Sequence, residues 1–289
     1  MVMRVDARVP QEYNRINLEP ISGALGAIVH GVEMRELDDE IITELHQAWM
    51  DHKVLFFRDQ ELTPAQHVEY GKAFGELEIH PFTNNLDEQP EIIVLESTPE
   101  KFVAAESWHS DVTFRECPPK GSVLVGRVLP PFGGDTAWAD MQLAYERLPD
   151  DLKEQIEGLY AIHSYEKVFG ANRTGHRHAA DEVVENAKES YPPQRHPIVR
   201  THPETGKKSL FINRNFVTGI DGMTRDESRS LRHRLYEQVN RLEITCRFRW
   251  QPGSVAQWDN RCTQHYAIPD YGGFHRRMER VTMIGDRPR

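Results

Sequence analysis

Trp108-His109-Ser110-Asp111 is the sharpest chemical feature of the sequence, and the run Val112-Thr113-Phe114 that follows it reads as strand. In extended backbone, residues i and i+2 project to the same side, so the His109 imidazole and the Asp111 carboxylate can converge on one point. That arrangement can hold a metal ion, although a lone HxD pair is more often an exposed turn beside a satisfied histidine. A third ligand is required, and His265, inside the strand-like run Thr263 to Ala267, is the candidate. Two neutral imidazoles and one carboxylate on one face of an octahedron form the facial triad of non-heme Fe(II) oxygenases, with open positions left for cosubstrate and dioxygen. Arg276 comes eleven residues after His265. Arginine-rich stretches are usually solvated, but at a strand-turn-strand distance from a ligand an arginine can also grip a dicarboxylate with two parallel donors.

The elements that must position these residues are mostly β. Eight short runs read as strands: Ile92 to Leu95, Ser122 to Val128, Leu159 to Ser164, Ser209 to Ile212, Ile244 to Trp250, Val255 to Trp258, Thr263 to Ala267 and Arg280 to Ile284. Their number predicts a sandwich or jelly roll, with Val54 to Phe57 as a further buried strand. Helices are predicted around them. Ile41, Ile42, Leu45 and Trp49 recur at helical spacing within Leu37 to Asp51, and Thr63-Pro64-Ala65-Gln66 carries a capping box that opens a second helix ending near Gly75. A third spans about Leu148 to Leu159. A fourth opens at Thr224, with Leu231, Leu235, Val239 and Leu242 as one core-facing stripe. No repeat or linker divides the chain, so residues 1–289 read as one domain. The polar stretch 168–197 is long for a connection and reads as a lid or mobile insert.

The balance of 35 Lys+Arg against 45 Asp+Glu gives a net charge of −10, which repels polyanions and anionic membrane surfaces. Nucleic acid and membrane are therefore not expected partners, no segment approaches the ~20 apolar residues of a membrane span, and the N-terminus lacks the apolar core of a signal peptide. A cytoplasmic location is expected. Cys117, Cys246 and Cys262 form no CxxC pair and read as structural.

Taken together, Gly23 to Ala27, Phe57-Arg58-Asp59-Gln60, Phe74-Gly75-Glu76-Leu77, Trp108 to Phe114, Gly133-Gly134-Asp135-Thr136-Ala137-Trp138 and Trp258-Asp259-Asn260 make the chain resemble the TauD/TfdA family of Fe(II)/2-oxoglutarate-dependent dioxygenases. The resemblance covers nearly the whole chain. It implies a mostly β fold with peripheral helices around a double-stranded β-helix, a jelly-roll, cupin-like core. It implies Fe(II) on His109, Asp111 and His265, with 2-oxoglutarate chelating the iron, contacted by Thr136 and paired through its distal carboxylate with Arg276. O2 is the oxidant, and succinate and CO2 are products.

On the substrate side, the resemblance to sulfonate-oxidising members puts His80 and Arg280 on a small anionic organic substrate. The aromatic and amide partners of a taurine pocket fall on Thr83 and Ala105, so the implied substrate is bulkier: an alkyl sulfate, a longer sulfonate or an aryloxyalkanoate, hydroxylated next to its heteroatom and then cleaved. Phe169 and Phe216 are candidates for the pocket wall, although any core would want them too. Asp111 argues against a halogenase. A homodimer or homotetramer is expected from how often such architectures self-associate.

Two other readings use the same residues: a metal-dependent hydrolase, and a non-catalytic small-molecule binding protein on the same fold. The hydrolase would not need Thr136 and Arg276, and the binding protein would more naturally have lost a metal ligand. His163, His196, His202 and His233 have no partner at ligand spacing and read as satisfied or solvated.

Overall fold

A computed structural model describes residues 12–80, 83–100, 107–169 and 189–289. In chain order the elements are β1 (Asn17–Pro20), β2 (Ala27–His30), α1 (Asp39–His52), β3 (Val54–Phe57), α2 (Pro64–Phe74), β4 (Asn85–Leu86), β5 (Gln89–Ser97), β6 (Gly121–Val128), β7 (Thr136–Asp140), α3 (Met141–Glu146), α4 (Asp150–Ile156) and β8 (Tyr160–His163). There follow α5 (Glu166–Phe169), β9 (Gln194–Pro197), β10 (Val199–Thr201), β11 (Lys208–Leu210), β12 (Val217–Ile220), α6 (Arg225–Val239), β13 (Thr245–Phe248), β14 (Val255–Asp259), β15 (Thr263–Ala267) and β16 (Arg276–Met283).

The large sheet has eight strands in the order β1-β2-β3-β14-β6-β16-β5-β4, antiparallel except for the β2–β3 pair. A three-stranded sheet, β13-β7-β15, stands against one of its faces, and β12-β8-β9 forms a second small sheet. Strand alternation divides the core. On β3, Leu55 and Phe57 pack with Leu45, Trp49, Val68 and Phe74 of α1 and α2. Val54 and Phe56 point the other way, into a cluster with Leu124, Ala256, Trp258 and Met278 of the large sheet and Trp138, Cys246 and Phe248 of the small one. A third cluster joins α3, α4 and α6 to β8 and β12.

The helix openings at Thr63 and Thr224 act as read, and the structure adds a cap on α1. Asp38 caps α1 by accepting from the Ile41 amide, and the Thr63/Gln66 and Thr224/Glu227 capping boxes are both formed. Gly121 is where the sheet accepts Trp49: a Cβ there would lie 2.4 Å from the indole.

Three expectations are corrected. Val112-Thr113-Phe114 is a turn rather than a strand, closed by the Arg115 amide on the Val112 carbonyl at 3.1 Å, with Val112 at φ 39°. Leu242 is 83% exposed, because α6 ends before it and a short 3-10 turn brings Ile244 into the core in its place. The stretch 168–197 is not one loop: Val168 and Phe169 end α5, and Gln194–Pro197 is a strand paired with β8. Residues 170–188, where most of the expected lid falls, lie outside the described residues.

Candidate active site

The space between the large sheet and β13-β7-β15 receives the inward side chains of strands from both sheets. On β16 the alternation that puts Met278 in the inter-sheet core puts Arg276 and Arg280 on the same face, while Val281 turns toward the helices. On β15, His265 pairs in register with Trp138 of β7, and its ring lies 4.9 Å from that of Trp258. Ser122 of β6 and Thr136 of β7 complete the buried polar lining.

His109 reaches this space through its backbone. It forms an isolated antiparallel bridge with His265, the two residues exchanging hydrogen bonds of 3.1 and 2.8 Å. The rings are 4.1 Å apart between centroids. The turn beginning at Asp111 then brings the carboxylate back, so one ligand atom from each of His109, Asp111 and His265 lies within 4.8 Å of the others. The convergence read from i, i+2 alternation is achieved by a bridge and a turn.

The donor set suits a divalent cation. His109 Nδ1 donates to the Ser107 carbonyl at 2.8 Å, which leaves the Nε2 lone pair for a ligand. Burial, with Arg280 nearby, pushes the His109 imidazole below its ordinary range, and burial next to His109 pushes His265 down further. Burial alone would raise the Asp111 carboxyl, but Arg280, with the Ser122 hydroxyl donating to it, holds the group below its ordinary range and ionised. The result is two neutral imidazoles and a carboxylate, the facial-triad donors of non-heme iron.

Asp111 is tightly held. Oδ1 accepts from Arg280 Nη1 at 2.5 Å and lies 3.8 Å from His265 Nε2, while Oδ2 accepts from Ser122 Oγ at 3.1 Å. Arg276, also buried, donates from Nη2 to the Gly134 carbonyl at 3.1 Å. Its Nε has no partner and no acidic side chain pairs with it among the described residues. Gly134 is required beside it: the residue has φ 69°, and a Cβ there would lie 3.1 Å from Arg276 Nε. Thr136 Oγ1 accepts from Trp250 Nε1 at 3.0 Å, which leaves its own hydrogen to donate. A dicarboxylate therefore finds an uncompensated guanidinium and a free hydroxyl donor.

His80 is buried, with its ring 5.8 Å from that of Phe169; burial and the nearby Arg280 push its imidazole down to about 3. Phe169 stacks on Phe216 at 6.4 Å, and both pack on Phe114 in a cluster with Val112, Tyr165 and Tyr191. Arg115, beside this cluster, is ion-paired with buried Glu78 at 2.6 Å. Thr83 donates to Asn85 Oδ1; Ala105 lies outside the described residues.

Of the histidines set aside, His233 is exposed. His163 Nδ1 meets Thr113 Oγ1 at 2.8 Å but its Nε2 has no partner, so it is only half satisfied. His202 does have companions at ligand spacing, Asp259 and Cys262. That cluster already contains its cation, since Arg261 donates to Asp259 from Nε and Nη2 at 2.9 and 2.7 Å. Sequence reasoning passed over Ser122 and Trp250, neither of which carries a spacing signal.

Residues 17–282 match the family described as Taurine catabolism dioxygenase TauD, TfdA family. The chain is 39% identical to an alkylsulfatase of Acinetobacter baylyi, covering 94% of this chain and 86% of that protein. It is 37% identical to an alpha-ketoglutarate-dependent sulfate ester dioxygenase of Pseudomonas putida, covering 94% and 91%. The crystal structure of a taurine dioxygenase from Burkholderia xenovorans matches with a TM-score of 0.81 at 35% identity, covering 95% of this chain and 91% of that one.

Proposed function

The chain belongs to the TauD/TfdA dioxygenase family, and on that premise we propose that it is an Fe(II)/2-oxoglutarate-dependent enzyme that hydroxylates a small organic anion next to its heteroatom. The observation that carries this reading is the meeting of His109, Asp111 and His265 in one buried space whose bordering strand, β16, also presents the unpaired Arg276. A hydrolase would not need that guanidinium, and a silent binding protein would more naturally have lost one of the three ligand residues.

Iron, 2-oxoglutarate and O2, when bound, supply the oxidising power, yielding succinate and CO2 and placing one oxygen atom on the substrate. The chain supplies position. His109 Nε2, His265 and Asp111 hold the metal; Arg276 pairs with the distal carboxylate of 2-oxoglutarate, and the Thr136 hydroxyl donates to a carboxylate oxygen. Arg280, whose Nε has no acceptor among the described residues, faces the substrate anion together with neutral His80. Phe169 and Phe216 wall the pocket with apolar surface and keep water from the reacting carbon.

A guanidinium beside an aromatic wall suits an amphiphilic anion. The likeness to proteins acting on sulfate esters supports an alkyl sulfate first, with a longer sulfonate or an aryloxyalkanoate next. Hydroxylation at the carbon bearing the sulfate oxygen gives a hemiacetal-type product that falls apart to an aldehyde and sulfate. The wider reading includes a double-stranded β-helix core, one domain in which the large sheet joins β1 to β16, a cytoplasmic enzyme and a homodimer or homotetramer in solution. Among the described residues no helix is long and apolar enough to cross a membrane.

The test is 2-oxoglutarate consumption, followed as succinate, with a series of alkyl sulfates, sulfonates and aryloxy acids. Asp111→Ala is expected to abolish it. Undiminished turnover in that variant would overturn the metal assignment.

A further inference from the structure

A carboxylate ligand on a turn must be aimed, and Asp111 sits next to Val112 in the left-handed region at φ 39°, where a β-branched residue is strained. Something must hold that turn. Asn260, in the turn between β14 and β15, is 1% exposed and touches Asp111 by two routes. Its Oδ1 accepts from the Asp111 amide at 3.3 Å and from Trp258 Nε1 at 3.0 Å. Its Nδ2 donates to Ser122 Oγ at 3.2 Å, and Ser122 Oγ donates to Asp111 Oδ2 at 3.1 Å.

The direction of this ring is fixed by chemistry. A backbone amide and an indole N–H can only donate, so the oxygen of Asn260 must face them and its nitrogen must face Ser122. Ser122 Oγ accepts from that nitrogen, and because the ionised Oδ2 of Asp111 can only accept, the serine donates its hydrogen there. Oδ2 is thereby held by Ser122, while Oδ1, which accepts from Arg280 Nη1 at 2.5 Å, is the oxygen 3.8 Å from His265 Nε2. Asn260 is itself anchored on both sides. Its amide donates to the Lys120 carbonyl at 3.0 Å, and the preceding Asp259 is held by Arg261 and by His202 Nε2 at 3.0 Å.

We propose that Asn260 and Ser122 are positioning residues for the metal site, which hold the Asp111 turn in place and fix its carboxylate with Oδ1 toward His265. The proposal rests on the reading that Asp111 is a ligand. Hydrogen-bond partners of ligands typically contribute 10–100-fold to metal affinity.

Mn(II) affinity, measured by electron paramagnetic resonance titration of the full-length protein, tests it without recourse to activity. Ser122→Ala and Asn260→Ala are each expected to bind Mn(II) roughly 10–100-fold more weakly, with an altered spectrum of the bound ion. The double variant is expected to lose less than the product of the two, because Asn260 acts partly through Ser122. Urea midpoints measured alongside separate this from unfolding, since partial unfolding lowers the number of sites and leaves the affinity of the folded fraction unchanged. If Asn260→Ala does not fold, Ser122→Ala decides. Asp111→Ala is the control: if it keeps wild-type affinity, the metal reading itself fails. If it loses Mn(II) while Ser122→Ala binds within twofold of wild type, only the positioning role is overturned.

Discussion

A guanidinium that is 9% exposed and lacks an acidic partner among the described residues is costly to hold, and Arg276 is held in that state between Gly134 and the Tyr271 ring. Burial lowers its pKa, so a bound dicarboxylate relieves the structure as well as itself. Replacing it with alanine removes charge-assisted hydrogen bonds together worth about 3 kcal/mol. The expected result for Arg276→Ala is a rise of roughly 100-fold in the 2-oxoglutarate concentration needed to form the visible charge-transfer band of the anaerobic Fe(II) protein. An unchanged titration would remove Arg276 from the site. At this scale spacing made His109, Asp111, His265 and Arg276 candidates, and the family motifs around them singled them out. Ser122 and Asn260 act through a hydrogen bond to something else, and a serine in a strand looks like any other.

Among the elements, α2 shows how a helix read correctly from its capping box carries consequences that its pattern does not. His67 faces inward, fully buried, donating from Nε2 to the Val123 carbonyl at 3.1 Å while Nδ1 has no partner. Burial pushes its imidazole down to about 4. An unfolded chain protonates this group near its ordinary 6.5, so between about pH 6.5 and pH 4 the unfolded state binds more protons and stability falls as pH falls. Between pH 7.5 and 5.0 the loss attributable to His67 is roughly 2 kcal/mol. His67→Gln is expected to shrink the drop in urea midpoint between those two pH values by about that amount; an equal drop in both proteins would refute it. Element boundaries were legible where capping chemistry fixed them, as at Thr63 and Thr224. They failed where the next element decided the matter: Leu242 continues the stripe of α6 on a helical wheel, but the 3-10 turn gives its core position to Ile244. Val112-Thr113-Phe114 has strand composition, yet closing a metal-ligand turn overrides local preference.

For the molecule as a whole, one buried ion pair joins the two sides of the core. Lys53, in the left-handed cap of α1, reaches Asp140 at the end of β7 at 2.8 Å, and Asp140 also caps α3 through the amides of Gln142 and Leu143. Removing the cation strands a carboxylate that is 2% exposed. Lys53→Met is expected to cost about 3 kcal/mol, read as a lower urea midpoint with an unchanged slope; a midpoint equal to wild type would show that the helix-cap amides alone satisfy Asp140. The division into a large sheet, a small sheet and a helical flank was legible only as a count of strands, because pairing is set by contacts across the whole chain. The place of β16 illustrates this. Last of the strands in sequence, it lies in the interior of the large sheet between β6 and β5, and it carries both Arg276 and Arg280. β5 and β6 are therefore joined only through the final strand of the chain, and the sheet is completed by the same segment that brings in the two arginines.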